Sequence, residues 1–433
     1  RINEDINEEW ISDKTRYACD GIKNQRLDSP YIKNNNNFEK ISWKKAYKTI
    51  VKKINDTSSE KIAALTGDLS NMETMYIAKE FFNKTIKSQY LDSRDDNYYI
   101  NNTLRENYIF NQSINGIEDS DLIVLIGANP RYEATILNSR IRKSYLKNNV
   151  QIYSIGDVGE LTYPYTILEN KTSIIKEIIE SKNELSKKIE DSKKPIIIIG
   201  QSILKLKSNK FIFEELKKYL YSINKITKEW NSLNVLSNNA STVGAYDLNI
   251  LSSDNGVNLT LQKIKKNEFD IIFLFGQDNL KFEKKNEFVI YVGSHGDKGA
   301  EIADIILPGA TYVEQDGYFT NTEGKVQKAF KASYPPGDAK EDWEIINELS
   351  ELLKRKKIFK NKDELVDSMF NYLKIKDEKF SNNINSGDFN VEEILINNEN
   401  YYFSNVIARA SKTMTDCYNS KFEHNKTGAK GWC

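Results

Sequence analysis

Short apolar runs that end in glycine recur along the chain and alternate with polar, helix-forming stretches. The runs read KIAALTGD, DLIVLIGANP, VQIYSIGD, KPIIIIGQ, DIIFLFGQD, EFVIYVGSH and ADIILPGA. A continuous apolar run of this length suits a strand buried on both faces, and the glycine permits a tight turn at its end. Strand–helix alternation of this kind favours parallel sheets covered by helices. The sequence therefore predicts an α/β fold with two doubly wound, Rossmann-like lobes.

The spacing of these runs also predicts a domain order. The strands fall into two groups, separated by the charged stretch KTSIIKEIIESKNELSKKIEDSKK. The expected segments are a docking arm (1–45), a first lobe (46–165), a linking helix (166–194), a second lobe (195–353) with a loop at 313–340, and a partly helical, partly extended tail (354–433).

Charge and hydropathy argue against two classes of partner. The chain carries 62 basic and 62 acidic residues, so it lacks the net positive field that nucleic-acid binding requires. No apolar run approaches the roughly 20 residues of a membrane-spanning helix. We expect neither nucleic acid nor a direct membrane span. The sequence starts at Arg1 without an initiator methionine, which predicts a processed product or a piece of a longer polypeptide.

Cysteine and histidine usage predicts no metal site. Cys19, Cys417 and Cys433 are too far apart for a metal-binding knuckle or a redox pair. The chain has only two histidines, and a lone loop residue such as His295 is more often a surface or turn residue than a catalyst. No nucleophile–base pair is apparent, so we expect no catalytic residue.

The stretch IGANPRYEATILNSRIRK predicts a strand–turn–helix junction. Gly127 and Asn129 shape the turn, and the free N–H groups at a helix N-terminus attract anions. Arginines that could add charge for a phosphate are Arg131, Arg140 and Arg142. The favoured alternative is structural: Asn129 caps the helix, while the arginines pair with Glu133 or face solvent.

The stretch VEQDGYFTNTEGKVQ follows a predicted strand and contains several acids. Glu314, Asp316 and Glu323 would repel each other if all three were buried. This favours an exposed loop, or one held by basic residues such as Lys325 and Lys328. Its composition does not point to chemistry.

Several motifs in order resemble one family. NEDINEEWISDKTRYACDGIKNQRLDSPY, SWKKAY, GANPRYEATILNSRIRK and ADIILPGATYVEQDGYFTNTEGKVQKAFKASYPPGDAKEDWEII resemble the large peripheral-arm (75-kDa) subunit family of respiratory complex I. The likeness extends from Arg1 to about Leu353 and returns in NVIARASKTMTDC. It implies the molybdopterin-oxidoreductase-like half of such a subunit, without the cysteine-rich, iron–sulfur half.

The resemblance implies partners and cofactors outside this chain. FMN and the iron–sulfur clusters would lie elsewhere in the complex, and this chain would hold no cofactor. The expected partners are other peripheral-arm subunits, especially the iron–sulfur half, on the same or a separate polypeptide. The expected location is the matrix side of the mitochondrial inner membrane, or in bacteria the cytoplasmic face of the plasma membrane.

The resemblance also implies a relic of a pterin site. In related formate dehydrogenases, a loop of the Asn-Thr-Glu-Gly type approaches a pterin, and the matching positions here are Thr320, Asn321, Glu323 and Lys325. No cysteine occurs between Asp20 and Asp416, which excludes a cysteine ligand to molybdenum. Gly127, Asn129 and Arg131 would be the corresponding relic of an anion turn.

The aromatic and charged start of the chain resembles an arm that packs on the iron–sulfur half. The expected interface residues are Arg1, Trp10, Ile11, Asp13, Arg16 and Tyr17. The resulting hypothesis is a non-catalytic structural part of NADH:ubiquinone oxidoreductase. The alternatives are an active molybdenum or tungsten bis-pterin oxidoreductase and a free nucleotide-binding module.

Overall fold

The computed structural model describes residues 2–35, 37–254, 257–375, 386–396 and 400–426. Its strands are β1 (Tyr31–Asn34), β2 (Asn37–Lys40), β3 (Ile62–Thr66), β4 (Leu91–Asp92), β5 (Leu122–Ile126), β6 (Gln151–Ile155), β7 (Thr166–Leu168), β8 (Pro195–Ile199), β9 (Leu233–Val235), β10 (Ser253–Asp254), β11 (Val257–Asn258), β12 (Ile271–Phe275), β13 (Phe288–Gly293), β14 (Ile305–Pro308), β15 (Gly317–Thr320) and β16 (Val326–Ala329).

The helices that cover the sheets differ widely in length. They are α1 (Asp13–Tyr17), α2 (Trp43–Asn55), α3 (Met72–Glu80), α4 (Pro130–Glu133), α5 (Thr135–Asn148), α6 (Thr172–Ile179), α7 (Glu184–Asp191), α8 (Gln201–Leu204), α9 (Asn209–Ser222), α10 (Thr242–Asp247), α11 (Leu259–Lys265), α12 (Lys298–Ile302), α13 (Asp342–Lys354), α14 (Lys362–Ile375), α15 (Val406–Ala410) and α16 (Lys412–Lys426).

One lobe is built on a parallel five-stranded sheet in the order β7-β6-β5-β8-β9. Every residue of β5 and β8 is buried, because helices cover both faces of the sheet. The chain runs outward from β5 in one direction and from β8 in the other. This is the strand order of a doubly wound fold.

The other lobe is built on a seven-stranded sheet in the order β2-β1-β14-β13-β12-β3-β4. The five strands from β14 to β4 are parallel, and the hairpin β1–β2 adds two antiparallel strands at one edge. The chain order again reverses inside the sheet, between β3 and β12. The predicted α/β fold with two doubly wound lobes is confirmed.

The predicted boundaries of the lobes need correction. Strand β3 of the expected first lobe pairs with β12 of the expected second lobe, and β5 pairs with β8. The five-stranded lobe is therefore formed by one stretch of chain, 122–235, inserted between the two halves of the seven-stranded lobe. An apolar run indicates a buried strand but does not encode which sheet it joins, so a division by sequence order separated strands that are neighbours in space.

The stretch 166–194 is not a solvated linking helix. It contains the edge strand β7 and the two helices α6 and α7. These helices bury Ile175, Ile178, Leu185 and Ile189 in the core of the five-stranded lobe. The charged residues between them form the solvent face of amphipathic helices, a pattern that resembles a linker in sequence.

The predicted tail, 354–433, joins three different regions where it is described. Helix α14 packs Leu365 and Met369 into the core of the seven-stranded lobe. Residues 386–396 cross to the five-stranded lobe, where Ile394 is buried. Residues 400–426 return to the beginning of the chain, as described below.

Candidate functional site

In open α/β sheets, ligands bind beyond the carboxyl ends of the strands where the strand order reverses. In the seven-stranded sheet this point lies between β3 and β12, where Gly67 and Gly276 follow the two strands. A Cβ at Gly67 would lie 1.7 Å from the carbonyl oxygen of Gly276. The two backbones are therefore in direct contact, and only glycine fits at residue 67.

The five-stranded sheet has the same arrangement between β5 and β8. A Cβ at Gly200 would lie 2.1 Å from the carbonyl oxygen of Gly127. Gly127 has a φ of +58°, and a Cβ there would lie 2.7 Å from the Ile203 side chain of α8. The chain's own backbone and Ile203 thus leave no room for a side chain at either glycine.

A small polar cavity of about 50 Å³ lies beside the Gly67–Gly276 contact. It is lined by residues from β13, the turns after β3, β12 and β14, α13, and α15. Within the described ranges, four buried polar atoms on its walls lack a hydrogen-bond partner in the protein: Thr311 Oγ1, Gln315 Oε1, Asp342 Oδ1 and Arg409 Nη2. A polar cavity of this size can hold a few ordered water molecules.

Two buried carboxyl groups border this cavity. Burial, followed by the negative charge of Asp297, raises the pKa of Asp278 to about 7. Burial, followed by Glu341, raises the pKa of Asp342 to about 7. The Asp278 carboxyl accepts a hydrogen bond from the Tyr291 hydroxyl at 3.0 Å. These acids are partly protonated near neutral pH, and a proton on a buried carboxyl avoids the cost of an uncompensated charge.

A second pocket, of about 200 Å³, lies between the two lobes. The turns after β3, β5 and β9 line it with Asp68, Tyr132 and Asn239. It is also lined by Lys14 and Tyr401, from opposite parts of the sequence. The Asp68 carboxylate is already hydrogen-bonded within the protein: its Oδ1 accepts a 2.8 Å hydrogen bond from Asn239 Nδ2.

At the predicted anion turn, the side chains bind other groups of the protein. Asn129 Nδ2 donates to the Val158 carbonyl at 2.9 Å, and its Oδ1 accepts from the Arg131 backbone N–H at 3.2 Å. The Arg131 guanidinium donates to the Glu160 carboxylate at 2.5 Å. Capping and ion pairing therefore account for both side chains, although the partner of Arg131 is Glu160 instead of Glu133.

The four predicted pterin-loop positions lie in the β15–β16 hairpin. Asn321 Oδ1 accepts a hydrogen bond from the Lys325 N–H at 2.8 Å, which shapes the turn. Glu323 Oε1 accepts from the Ile114 N–H of the other lobe at 2.6 Å. Thr320 is buried and Lys325 is exposed. The hairpin thus uses its polar groups to hold its own turn and to bridge the lobes.

Asp247, which the sequence did not single out, anchors this hairpin. Its carboxylate accepts hydrogen bonds from Arg105 Nε at 2.9 Å and from the Tyr108 hydroxyl at 2.9 Å. Arg105 also donates to the Gly324 carbonyl at 2.5 Å, and Thr320 Oγ1 donates to Asp247 at 3.3 Å. A single Asp at the end of a helix has no sequence signal for such a role.

The acids before the hairpin avoid mutual repulsion by separate pairing. Glu314 is buried and forms a two-pronged ion pair with Arg26, at 2.5 and 2.6 Å. Asp316 lies 3.6 Å from Lys328, one of the two basic partners expected from the sequence. The partner of Glu314 comes from nearly 290 residues earlier in the chain, so local sequence could not identify it.

His295 is buried instead of lying at the surface. Its Nδ1 lies 2.9 Å from Ser294 Oγ, and its Nε2 lies 2.9 Å from the Gly21 carbonyl. Burial lowers the pKa of His295, so the ring is neutral at neutral pH. It links the start of the chain to the seven-stranded lobe.

The predicted interface residues, where described, are exposed. Arg1 lies outside the described residues. The exposed side chains are those of Trp10, Ile11, Asp13, Arg16 and Tyr17. The Trp10 side chain is the most prominent, with 64% of its surface accessible.

The residues just before this exposed stretch are held by the five-stranded lobe. Arg140 is buried and donates to the carbonyls of Glu4 and of Ile6, the second at 3.1 Å. Its Nη1 pairs with Glu118 at 2.6 Å and with Glu8 at 3.1 Å. Arg140, a possible phosphate ligand from sequence, therefore fixes the path of residues 4–8.

Metal clusters and membrane-spanning helices are both missing from the part of the chain that the structure describes. In it, no group of three or more His, Cys, Asp or Glu side chains could hold a metal ion. No helix among these residues has the length and apolar character needed to cross a membrane.

Comparison with protein families matches three stretches of the chain. The molybdopterin oxidoreductase family matches residues 26–352. The 4Fe–4S domain of NADH-ubiquinone oxidoreductase NDSU1/NuoG-like proteins matches residues 1–20. The C-terminal domain of the G-type subunit of NADH-ubiquinone oxidoreductase matches residues 368–417.

Relatives of known name align with nearly the whole chain. The NADH-ubiquinone oxidoreductase 75 kDa subunit of Reclinomonas americana is 40% identical over 96% of the chain and 64% of its own length. The G-type subunit of the NADH-quinone oxidoreductase of Rickettsia bellii is 37% identical over 99% of the chain and 63% of its own length. The chain therefore spans less than two thirds of each relative.

Solved structures share the fold at low identity. Acetylene hydratase from Pelobacter acetylenicus has a TM-score of 0.56 at 12% identity, with 96% of this chain and 74% of that chain covered. The formyltransferase/hydrolase complex of Methylorubrum extorquens has a TM-score of 0.54 at 10% identity, with 76% of this chain and 99% of that chain covered.

Proposed function

Since the chain belongs to the molybdopterin oxidoreductase family, and its relatives are named as 75-kDa or G-type subunits of NADH–quinone oxidoreductases, we propose that it is a non-catalytic structural part of the peripheral arm of such an enzyme. The observation that carries this proposal is the start of the chain. Residues 1–20 match a 4Fe–4S domain family, yet in this chain their aromatic side chains are exposed. An exposed aromatic group of this kind is typical of a surface that packs on a partner.

The proposed partner is the iron–sulfur segment, and the proposed contribution is rigidity. Electron transfer along a series of clusters requires fixed distances between them. Two sheets covered by helices, bridged by the β15–β16 hairpin through Glu323 and Ile114, provide a stiff body for that segment to pack on. FMN and the iron–sulfur clusters would be carried by the remainder of the enzyme.

We also propose that the cleft holds no pterin cofactor. Pockets for drug-sized ligands measure roughly 300–1,000 Å³, and a pterin dinucleotide is larger than most such ligands. The pocket lined by Asp68, Lys14 and Tyr401 measures about 200 Å³. The pocket next to Asp68 is thus small for such a cofactor, and elemental analysis of the purified complex should find no molybdenum or tungsten assigned to this chain.

For location, we propose the matrix side of the mitochondrial inner membrane, with the cytoplasmic face of a bacterial plasma membrane as the alternative. Attachment would come through neighbouring subunits. Cell fractionation with an antibody to the chain would distinguish the two locations. Salt or alkaline washing should then release the chain as a peripheral subunit, while integral subunits stay in the membrane.

Replacement of Trp10 tests the proposed role. Trp10→Ala should reduce the fraction of chain found in the assembled complex at least tenfold, since an aromatic anchor at the centre of an interface contributes about 2 kcal/mol or more. The matched control is Tyr334→Ala, which removes an even more exposed aromatic from the seven-stranded lobe. The measurement is native gel electrophoresis, with circular dichroism of the isolated chain to show that both variants fold.

Alkylation of Cys19 gives a second readout. Cys19 is exposed and lies beside the predicted interface residue Tyr17. In the free chain N-ethylmaleimide should label it readily, and in the complex the labelling should be suppressed. Assembly of Trp10→Ala at the wild-type level, together with full labelling of Cys19 in the complex, would contradict the proposed role of this surface.

A further inference from the structure

A second part of the chain holds the exposed amino-terminal stretch in place. We use the name clasp for residues 400–421, which include α15 and the first turns of α16. We use the name arm for residues 2–24. Contacts between the arm and the clasp join residues nearly 400 positions apart in the sequence.

The strongest contact is made by Asp20 at the start of α16. Its Oδ2 accepts hydrogen bonds from the Thr413 backbone N–H at 3.1 Å and from Thr413 Oγ1 at 3.3 Å. Its Oδ1 accepts from the Ser411 hydroxyl. A carboxylate at a helix N-terminus satisfies free N–H groups and interacts favourably with the helix dipole. Asp20 is thus a capping group supplied to α16 by a distant segment.

Other contacts extend the junction on both sides of Asp20. Lys14 Nζ donates to Ser404 Oγ at 2.7 Å, and the Lys14 backbone N–H donates to the Tyr401 hydroxyl at 3.0 Å. Asn24 Nδ2 donates to the Ala410 carbonyl at 3.1 Å. These bonds lie before and after Asp20, so the clasp contacts the arm from Lys14 to Asn24, which is about as many residues as three turns of a helix contain.

The backbones are also in direct contact at Gly21. A Cβ there would lie 2.0 Å from the Ile407 carbonyl oxygen, so no other residue fits without a shift of α15. The Gly21 carbonyl in turn contacts His295 Nε2 of the seven-stranded lobe. The arm is therefore enclosed between the lobe and the clasp at this residue.

The clasp is itself anchored to the seven-stranded lobe. Arg409 Nε donates to the Asp297 carboxylate at 2.5 Å, and its Nη1 donates to Asn279 Oδ1 at 3.2 Å. Ile407, Ala408, Ala410 and Met414 are buried. The position of the arm is thus determined by the lobe through the clasp as well as by its own contacts.

From this arrangement we propose that the surface that receives the iron–sulfur segment is composite, with the clasp holding the arm in its docking conformation and Asp20 acting as the positioning residue. This rests on the proposed function for the identity of the partner. The occupant is the iron–sulfur segment because the 4Fe–4S domain family continues into the arm as far as residue 20, where the clasp makes its main contact. The exposed residues Trp10, Ile11 and Tyr17 lie between the anchor at Arg140 and this contact.

The test uses three variants of the full chain. Asp20→Ala removes the distant cap, while Asp20→Asn retains oxygen and hydrogen-bonding capacity, since Asn and Asp cap helices about equally well. Asp416→Ala is the control, because it removes an exposed pair with Lys412 from the same helix without contact to the arm. Hydrogen exchange of residues 10–24 is measured in the isolated chain, with the amides of β5 as an internal reference for folding.

In Asp20→Ala the arm amides should exchange roughly five to ten times faster, as expected for loss of a cap or of a hydrogen bond to a charged group. Asp20→Asn should restore most of the protection, and Asp416→Ala should match the wild type. The fraction of chain in the assembled complex should fall in the same order. Lys14→Met, which removes the contact with Ser404 and leaves α16 untouched, should change both readouts in the same direction.

Two results would overturn the proposal. Unchanged arm protection in Asp20→Ala and Lys14→Met would mean that the clasp does not hold the arm. Faster exchange with wild-type assembly would mean that docking does not depend on arm position. If the wild-type chain itself is absent from the complex, it is the proposed function that fails, so the two failures are distinguishable.

Discussion

In each sheet, two glycines meet at the carboxyl ends of the strands between which the strand order reverses, and we call this place the edge of that sheet. The two edges differ in the groups that cover the glycine contact. In the five-stranded lobe, the contact between Gly127 and Gly200 is covered by Ile203, three residues after Gly200. In the seven-stranded lobe, the contact between Gly67 and Gly276 is covered by groups from several distant parts of the chain, including Arg409 of the clasp. One edge is closed locally, and the other depends on long-range assembly.

The difference appears in the chemistry left at each edge. The seven-stranded edge retains a polar cavity, buried carboxyl groups and polar atoms without protein partners, such as Thr311 Oγ1. At the five-stranded edge, Asn129 uses its side chain to bind the Val158 carbonyl and to cap α4. Because distant segments cover the seven-stranded edge, some buried polar atoms there have no hydrogen-bond partner in the protein. We therefore expect the stability of this lobe to depend more strongly on solution conditions such as pH.

The largest expected effect concerns the feature that the edges share. Gly67→Ala and Gly200→Ala should each destabilise their own lobe by about 3 kcal/mol or more, because the added Cβ meets a backbone carbonyl that cannot move aside. The control is Gly159→Ala: its φ of +69° adds strain, but the new Cβ meets nothing within 4 Å, so the loss should be about 1 kcal/mol. Urea unfolding with peptide-resolved hydrogen exchange would report each lobe separately. Equal losses in all three variants would show that strain, not contact, determines the cost.

The next effect, in pH dependence, should separate the lobes. The raised pKa of Asp278, about 7, means that the folded state holds a proton that the unfolded chain releases above about pH 4. The stability from this group is complete below pH 4 and is lost as the pH rises through 7. Tyr291, Asp297 and Arg409 are the polar and charged groups around it. We expect the seven-stranded lobe to lose about 1 to 2 kcal/mol between pH 5 and 7.5.

The five-stranded lobe should respond in the opposite direction. Burial opposes ionisation of Glu118, but hydrogen bonds from Lys143 and Arg140 outweigh it and lower the pKa. Stability from such a group is present above its unfolded pKa and is lost as the pH falls. Asp278→Asn, which cannot titrate, should make the pH profile of the seven-stranded lobe less steep and leave the other lobe unchanged, while Asp342 still titrates. Parallel profiles for the two lobes in the wild type would contradict this assignment.

The smallest effect is expected at the turn that the sequence suggested as an anion site. Arg131→Met removes an ion pair with Glu160, whose side chain is mostly exposed, so the loss should be below about 1 kcal/mol. Thermal unfolding in the presence and absence of phosphate is the measurement. A phosphate-dependent stabilisation that Arg131→Met abolishes would show that this edge keeps an anion site, and the contrast between the edges would need revision.

The sequence predicted the parts of the fold that depend on local pattern. Runs such as PIIII are buried at every residue, as the continuous apolar pattern requires. It did not predict the pairing of β3 with β12, since these runs are about 200 residues apart and similar in composition. Any of the apolar runs could pair with any other on composition alone.

The polar contacts that organise the site were the least predictable. Arg26 with Glu314, and Arg105 with Asp247, join residues separated by more than 100 positions, and no spacing rule relates them. The arm showed the same limit. Its aromatic residues suggested docking. Thr413 of α16, which binds Asp20 of the arm, lies almost 400 positions away in the sequence.

That separation has a consequence for the order in which the protein is made. Asp20 and Thr413 are 393 residues apart, so at roughly 5–20 residues per second a ribosome needs about 20 to 80 s to supply the second after the first. During this interval the newly made arm has no α16 to pack against. The arm can reach its final packing only after α16 has left the exit tunnel.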